Sequence, residues 1–150
     1  MPMIPDKDAK LIREHLSKNL KGPVTIDYFT QGDSSQGLPV RECQYCRETG
    51  ELLREVSALS AQVTLREHDL VSDAATAQAF AVTRIPAFVL SGKSKGRVRF
   101  LGIPSGYEFS SLIEDLVDVS RGTTDLSPKV AEELSAIRKP VHIQVFGTPT

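Results

Sequence analysis

The sequence predicts an α/β domain, a mixed sheet with helices on both faces, and three observations carry that prediction. Apolar residues recur at helical spacing in separated stretches along the chain. Short β-branched or aromatic runs lie between them. The last two of the first four strand candidates are joined by a glycine-bearing turn, so the order reads α-β-α-β-α-β-β-α, and interleaved helices and strands pack as a sheet covered on both sides.

The elements follow in order. Residues 6–20 predict an amphipathic helix, with Leu11, Ile12, Leu16 and Leu20 on one side and charged residues on the other, stopped by Gly22-Pro23. Residues 24–30 (Val-Thr-Ile-Asp-Tyr-Phe-Thr) predict a central strand. Residues 31–42 hold Gly32, Asp33, Ser34, Ser35, Gly37 and Pro39, the composition of a loop. From Cys43 the chain turns helical, with Leu52, Leu53, Val56 and Leu59 on the apolar side. Residues 63–70 predict a second strand, and Ser72 or Asp73 caps a short alanine-rich helix through Phe80. After Ile85-Pro86, residues 87–90 and 97–101 form a hairpin around Gly92 and Gly96, and residues 107–120 form a further amphipathic helix. Beyond a linker at 121–126, a helix from Ser127-Pro128 to about 137 and a strand at 141–146 repeat the opening helix, proline and strand. They read as the start of a second copy.

Composition narrows the function classes. A chain of 150 residues, 40% hydrophobic and 25% charged, is ample for one soluble domain with a real core. Eighteen Lys+Arg against nineteen Asp+Glu leave a net charge of -1, which removes the electrostatic reason to expect a nucleic-acid partner. No run approaches the roughly 20 apolar residues of a membrane-spanning helix. No apolar stretch follows a basic region at the N-terminus, so a cytoplasmic address is the expectation.

The two cysteines, Cys43 and Cys46, carry the chemistry. A bridge between them closes too small a loop to stabilise the fold much. At the start of a helix, however, unpaired backbone N–H groups and the macrodipole favour a thiolate on Cys43, with Arg41 and Arg47 adding charge that Glu42 and Glu48 partly cancel. Cys46, about one turn on, is spaced to attack a mixed disulfide formed on Cys43. Zinc wants four ligands, and His15, His68 and His142 fall on elements away from the motif, so neither metal nor cofactor is expected and the histidines read as surface or satisfied structural groups. Two further features stay open at this level. Ile85-Pro86 is by spacing an ordinary trans strand-entry proline, or else a cis-proline facing the dithiol. Asp27 is either on a solvated side of its strand or a buried acid behind Cys46 that takes that thiol's proton.

Taken together, Cys43-Gln44-Tyr45-Cys46, Arg84-Ile85-Pro86-Ala87, the run from Arg99 through Gly102-Ile103-Pro104-Ser105-Gly106-Tyr107-Glu108-Phe109, and the segment from Ile113 to Arg121 resemble the protein disulfide oxidoreductases. These are glutaredoxin-like proteins built of two fused thioredoxin-fold units. The likeness runs from near Leu11 to the C-terminus. It implies a thioredoxin-like fold with a mixed four-stranded sheet, a unit at 1–121, and a second unit of which 122–150 supplies the linker, first helix and first strand. It implies that Cys43 is the nucleophile, Cys46 the resolving thiol, and Ile85-Pro86 a cis-proline loop. Tyr45, Ile85, Pro86 and Gly102 then face the substrate, and Asp27 falls where thioredoxins keep a buried aspartate.

The implied partners are disulfide-containing proteins and a reductase or other thiol donor, with no nucleic acid and no membrane. Two departures stand out: the loop before Cys43 is longer than the family's, and the chain stops before a second pair of cysteines. The apolar residues of 141–146 make a homodimer through the C-terminal segment an expectation as well. A glutathione-dependent glutaredoxin, a thioredoxin-like binding module with a silent dithiol, and a metal or iron–sulfur site shared across a dimer are the rival readings.

Overall fold

A computed structural model describes residues 2–32 and 43–147. Its elements are α1 (Asp6–Asn19), β1 (Val24–Thr30), α2 (Cys46–Ala58), β2 (Val63–Asp69), α3 (Ala74–Ala79), β3 (Ala87–Ser91), β4 (Val98–Leu101), α4 (Tyr107–Arg121) and α5 (Pro128–Ser135). The strands form one sheet in the order β2-β1-β3-β4. β1 runs parallel to β2, with Val24 opposite Val63 and Thr30 opposite Asp69. It runs antiparallel to β3, with Phe29 opposite Ala87, and β3 pairs antiparallel with β4. The fold class read from the sequence is the one observed, down to the hairpin that supplies the last two strands.

Strand alternation divides the core in two. Val24, Ile26 and Tyr28 of β1, with Phe88 and Leu90 of β3, face a cluster built from Leu16, Leu52, Leu53, Val56, Leu112 and Leu116 of α1, α2 and α4. Phe29, Ala87 and Val89 face the opposite way and pack with Ala77 and Val82 around α3. The central strands are therefore buried on both faces, which is why 24–30 reads as a β-branched and aromatic run rather than a strict alternation. Arg97 lies over the Phe80 ring and donates to the Ala79 carbonyl at 3.1 Å, tying β4 to the end of α3.

Backbone proximity explains one glycine. A Cβ on Gly92 would press into the Val119 carbonyl, whose carbon would lie 2.9 Å away and whose oxygen closer still, so the β3–β4 turn passes α4 at a distance only a glycine allows. Two predicted boundaries shift. α2 begins at Cys46 rather than Cys43, because Tyr45 takes a non-helical conformation. The helix expected from Ser127-Pro128 is observed as α5, whose Ser127 hydroxyl accepts from Val130 N–H, while residues 141–147 form no strand. A strand needs a ladder partner to satisfy its amides, and the expected strand at 141–146 has none among the described residues: Val145 and Phe146 are each 89% exposed. The expected long loop, apart from Gln31 and Gly32, lies outside the described residues.

Candidate functional site

Cys43 and Cys46 are joined by a disulfide, S–S 2.00 Å and Cα–Cα 5.4 Å. The two cysteines sit in unequal surroundings. Cys43 is partly exposed just before α2, whereas Cys46 opens the helix and is 7% exposed. β1 positions the pair from two directions. Gln31, just past the end of the strand, accepts the Cys43 N–H on its side-chain carbonyl at 3.2 Å. Tyr28, on the α2 side of the sheet, donates its hydroxyl hydrogen to the Cys46 carbonyl at 2.5 Å. Tyr28 is fully buried, and burial pushes its phenol above the ordinary value, so it stays a neutral donor. Between the cysteines, Tyr45 is 47% exposed.

The Ile85–Pro86 bond is cis. Register puts it at the same end of the sheet as the disulfide, because Ala87, the next residue, pairs with Phe29 at the end of β1. Pro86 is buried and Ile85 half-buried. The Gly102 N–H donates to the Pro86 carbonyl at 2.8 Å, clamping the proline loop to the segment that follows β4. Gly102 has φ +92°, a conformation that favours glycine. Tyr45, Ile85, Pro86 and Gly102 thus share one end of the sheet with Cys43 and Cys46.

Asp27 is placed differently from the sequence expectation. It is buried, as one reading required, but alternation along β1 turns its carboxylate to the α3 face, away from the face that α2 covers. Its hydrogen-bond partner is His68, with Nε2 2.8 Å from Oδ1, rather than Cys46. The residue of β1 that reaches Cys46 is Tyr28. The His68 ring also stacks on Phe29, with centroids 4.9 Å apart, so this histidine is a satisfied structural group.

Sequence reading missed Tyr28, Gln31 and Asp69 as site-building residues. Asp69, at the end of β2, accepts N–H bonds from Gly32 at 2.5 Å, Val71 at 2.9 Å and Ser72 at 2.7 Å, and so fixes where the segment leading to Cys43 leaves the sheet. Those amides hold its carboxyl below the ordinary carboxylate value, the Ser72 amide most and the Gly32 amide next. The asparagine/aspartate turn chemistry after β2 was the available signal. Arg41 and Glu42 lie outside the described residues. The Arg47 guanidinium lies 3.4 Å from Glu48, so on the exposed side of α2 these two charges offset one another. Among the described residues no group of three or more His, Cys, Asp and Glu side chains could hold a metal ion. None of their helices is long and apolar enough to cross a membrane.

The site is thus a disulfide at the start of a helix with a cis-proline at the same end of the sheet. Solved structures share the fold. The chain superposes on the alkyl hydroperoxide reductase AhpF of Enterococcus faecalis with a TM-score of 0.72 at 20% identity, over 91% of this chain and 62% of that one. It superposes on a protein disulfide oxidoreductase from Aeropyrum pernix with a TM-score of 0.71 at 23% identity, over 88% and 54%.

The chain has the thioredoxin fold.

Among curated proteins, this thioredoxin-fold chain is similar to an alkyl hydroperoxide reductase subunit, the one lettered F, of Staphylococcus epidermidis, 29% identical over 105 residues. That match takes in 69% of the chain and 18% of the relative. The Staphylococcus aureus protein of the same name is 28% identical over 102 residues. The thioredoxin-fold chain therefore spans about a fifth of the length of these relatives. No family model matches it. The likeness to a protein disulfide oxidoreductase read from its motifs is met again in the solved structures.

Proposed function

We propose that the chain is a thiol–disulfide oxidoreductase whose Cys43–Cys46 pair exchanges with disulfides of protein substrates. One observation carries the proposal: the two cysteines are already bridged, and the residues differ in burial, Cys43 partly exposed and Cys46 buried. In the reduced pair, the Cys43 thiolate attacks a substrate disulfide and one substrate sulfur leaves as thiolate. Cys46 then attacks Cys43 Sγ, releases the second substrate sulfur and closes the bridge. The substrate gains two electrons and the pair gives them up.

Tyr45, Ile85, Pro86 and Gly102 line the approach in this reading. Asp27, engaged by His68 on the other face of the sheet, is left out of the exchange step. The curated relatives carry the name of a hydroperoxide reductase, which favours the reducing direction, with a thiol donor or reductase recharging the pair. A cytoplasmic setting, expected from the sequence, belongs to the same proposal. We also retain residues 1–121 as the working unit and 122–150 as the opening of a second. The exposed Leu134, Ile137, Val141, Ile143, Val145 and Phe146 of that segment favour a homodimer formed through it.

The test is dithiothreitol-driven reduction of a protein disulfide. Wild type should accelerate it, Cys43→Ser should be inactive, and Cys46→Ser should accumulate a mixed disulfide on Cys43. A wild type no faster than dithiothreitol alone would overturn the proposal. For the dimer, deleting residues 128–150 should lower the mass in solution from that of two chains to that of one.

A further inference from the structure

We infer that the Thr49 hydroxyl is the hydrogen-bond donor that the Cys46 sulfur gains when the disulfide opens, and that Tyr28 holds Cys46 in place to receive it. The inference rests on the exchange reading above and assigns two positioning residues to it. Thr49 is fully buried on α2, and its Oγ1 has no hydrogen-bond partner among the described residues. It follows Cys46 by three positions on the same helix, so the two side chains are neighbours on one face. The carbonyl of Cys46 accepts from the Tyr28 hydroxyl at 2.5 Å, which ties the helix turn that carries both residues to β1.

The chemistry turns on what Cys46 is in each state. A disulfide sulfur is uncharged and a weak acceptor, and the Thr49 hydroxyl, three positions along the helix, bonds neither to it nor to any other described group, which is costly. When a dithiol donor's thiolate attacks Cys43 Sγ, the S–S bond breaks and Cys46 leaves with the electron pair as a thiolate. The donor's second thiolate then attacks its own sulfur bound to Cys43. That releases Cys43 as a thiolate, and the donor ends as a disulfide, oxidised by two electrons. A buried thiolate is a strong acceptor, and the Thr49 O–H is the donor at hand. The carboxylate of β1 takes no such part, because it lies on the α3 face with His68.

The reduced form is therefore favoured by a contact absent from the oxidised form. The full chain should be equilibrated with mixtures of reduced and oxidised dithiothreitol at pH 7, and the Cys43 and Cys46 thiols counted after alkylation. Thr49→Val keeps the shape and removes the hydroxyl. It should need about tenfold more reduced dithiothreitol, relative to oxidised, for half reduction. Thr49→Ser restores the donor and should lie within about twofold of wild type. Tyr28→Phe should shift the balance in the direction of Thr49→Val. Equal midpoints for wild type and Thr49→Val would overturn the inference, as would a Thr49→Ser shift as large as that of Thr49→Val. The measurement needs no turnover, so it is read separately from the wild-type rate that tests the exchange reading.

Discussion

Asp27 and His68 meet across the parallel β1–β2 ladder, carboxylate Oδ1 2.8 Å from imidazole Nε2, on the face of the sheet that α3 covers. They are diagonal neighbours in the register, Asp27 opposite Arg66 and His68 opposite Phe29. The His68 ring also stacks on Phe29, with centroids 4.9 Å apart and the planes 26° from parallel.

Removing the histidine leaves a buried carboxylate without its partner. His68→Leu should lower stability by about 3 kcal/mol, and Asp27→Asn, which keeps a hydrogen-bonding group, by roughly 1 kcal/mol. Urea unfolding measures both. Neither substitution should slow disulfide exchange. A folded Asp27→Asn protein with a large loss of exchange rate would bring the carboxylate back into the reaction.

Asp69 gives a pH dependence with a definite sign. Its carboxyl is held below the ordinary carboxylate value by the Ser72 and Gly32 amides, so the ionised form is the one the fold favours. The contribution is fully present above the unfolded-chain value of about 3.9 and is lost as pH falls through the lower folded value. Wild type should therefore be more stable than Asp69→Asn at pH 7. The gap should close as the pH is lowered below about 4, measured by urea midpoints across that range. A gap independent of pH would show that the turn geometry, not the charge, carries the effect.

The Gly92–Val119 approach predicts a steric cost. Because an added Cβ would meet backbone atoms, with the Val119 carbonyl carbon at 2.9 Å, Gly92→Ala cannot be absorbed by a side-chain rotation. It should cost about 1–3 kcal/mol, whereas Gly96→Ala, whose Cβ meets nothing within 4 Å, should cost far less. Thermal unfolding of the two variants side by side decides it.

The sequence made the elements and the disulfide pair legible because both are local: helical spacing, strand composition and Cys-X-X-Cys are patterns within a few residues of one another. What it could not show depends on register. Whether Asp27 or Tyr28 faces α2 turns on a single-residue phase of β1, and an apolar strand buried on both faces carries no alternation to reveal that phase. His68 reads as a lone histidine until β2 is laid parallel to β1 with Phe29 opposite it. Residues 141–146 mislead for the opposite reason. Their composition is that of a strand, yet strand formation is a property of two segments, and no second one lies beside them among the described residues.

Glu55 has a reach that its place on the outer side of α2 hides. Its two carboxylate oxygens accept the backbone N–H groups of Met3, at 2.8 Å, and Ile4, at 2.9 Å. The segment entering α1 is thereby laced to the helix that begins at Cys46, and residues 3 and 4 act as an outrigger for that helix. Glu55→Ala should let that outrigger go. Amides in the later turns of α2 should then exchange with solvent faster, while those at the start, braced by Tyr28, keep their protection.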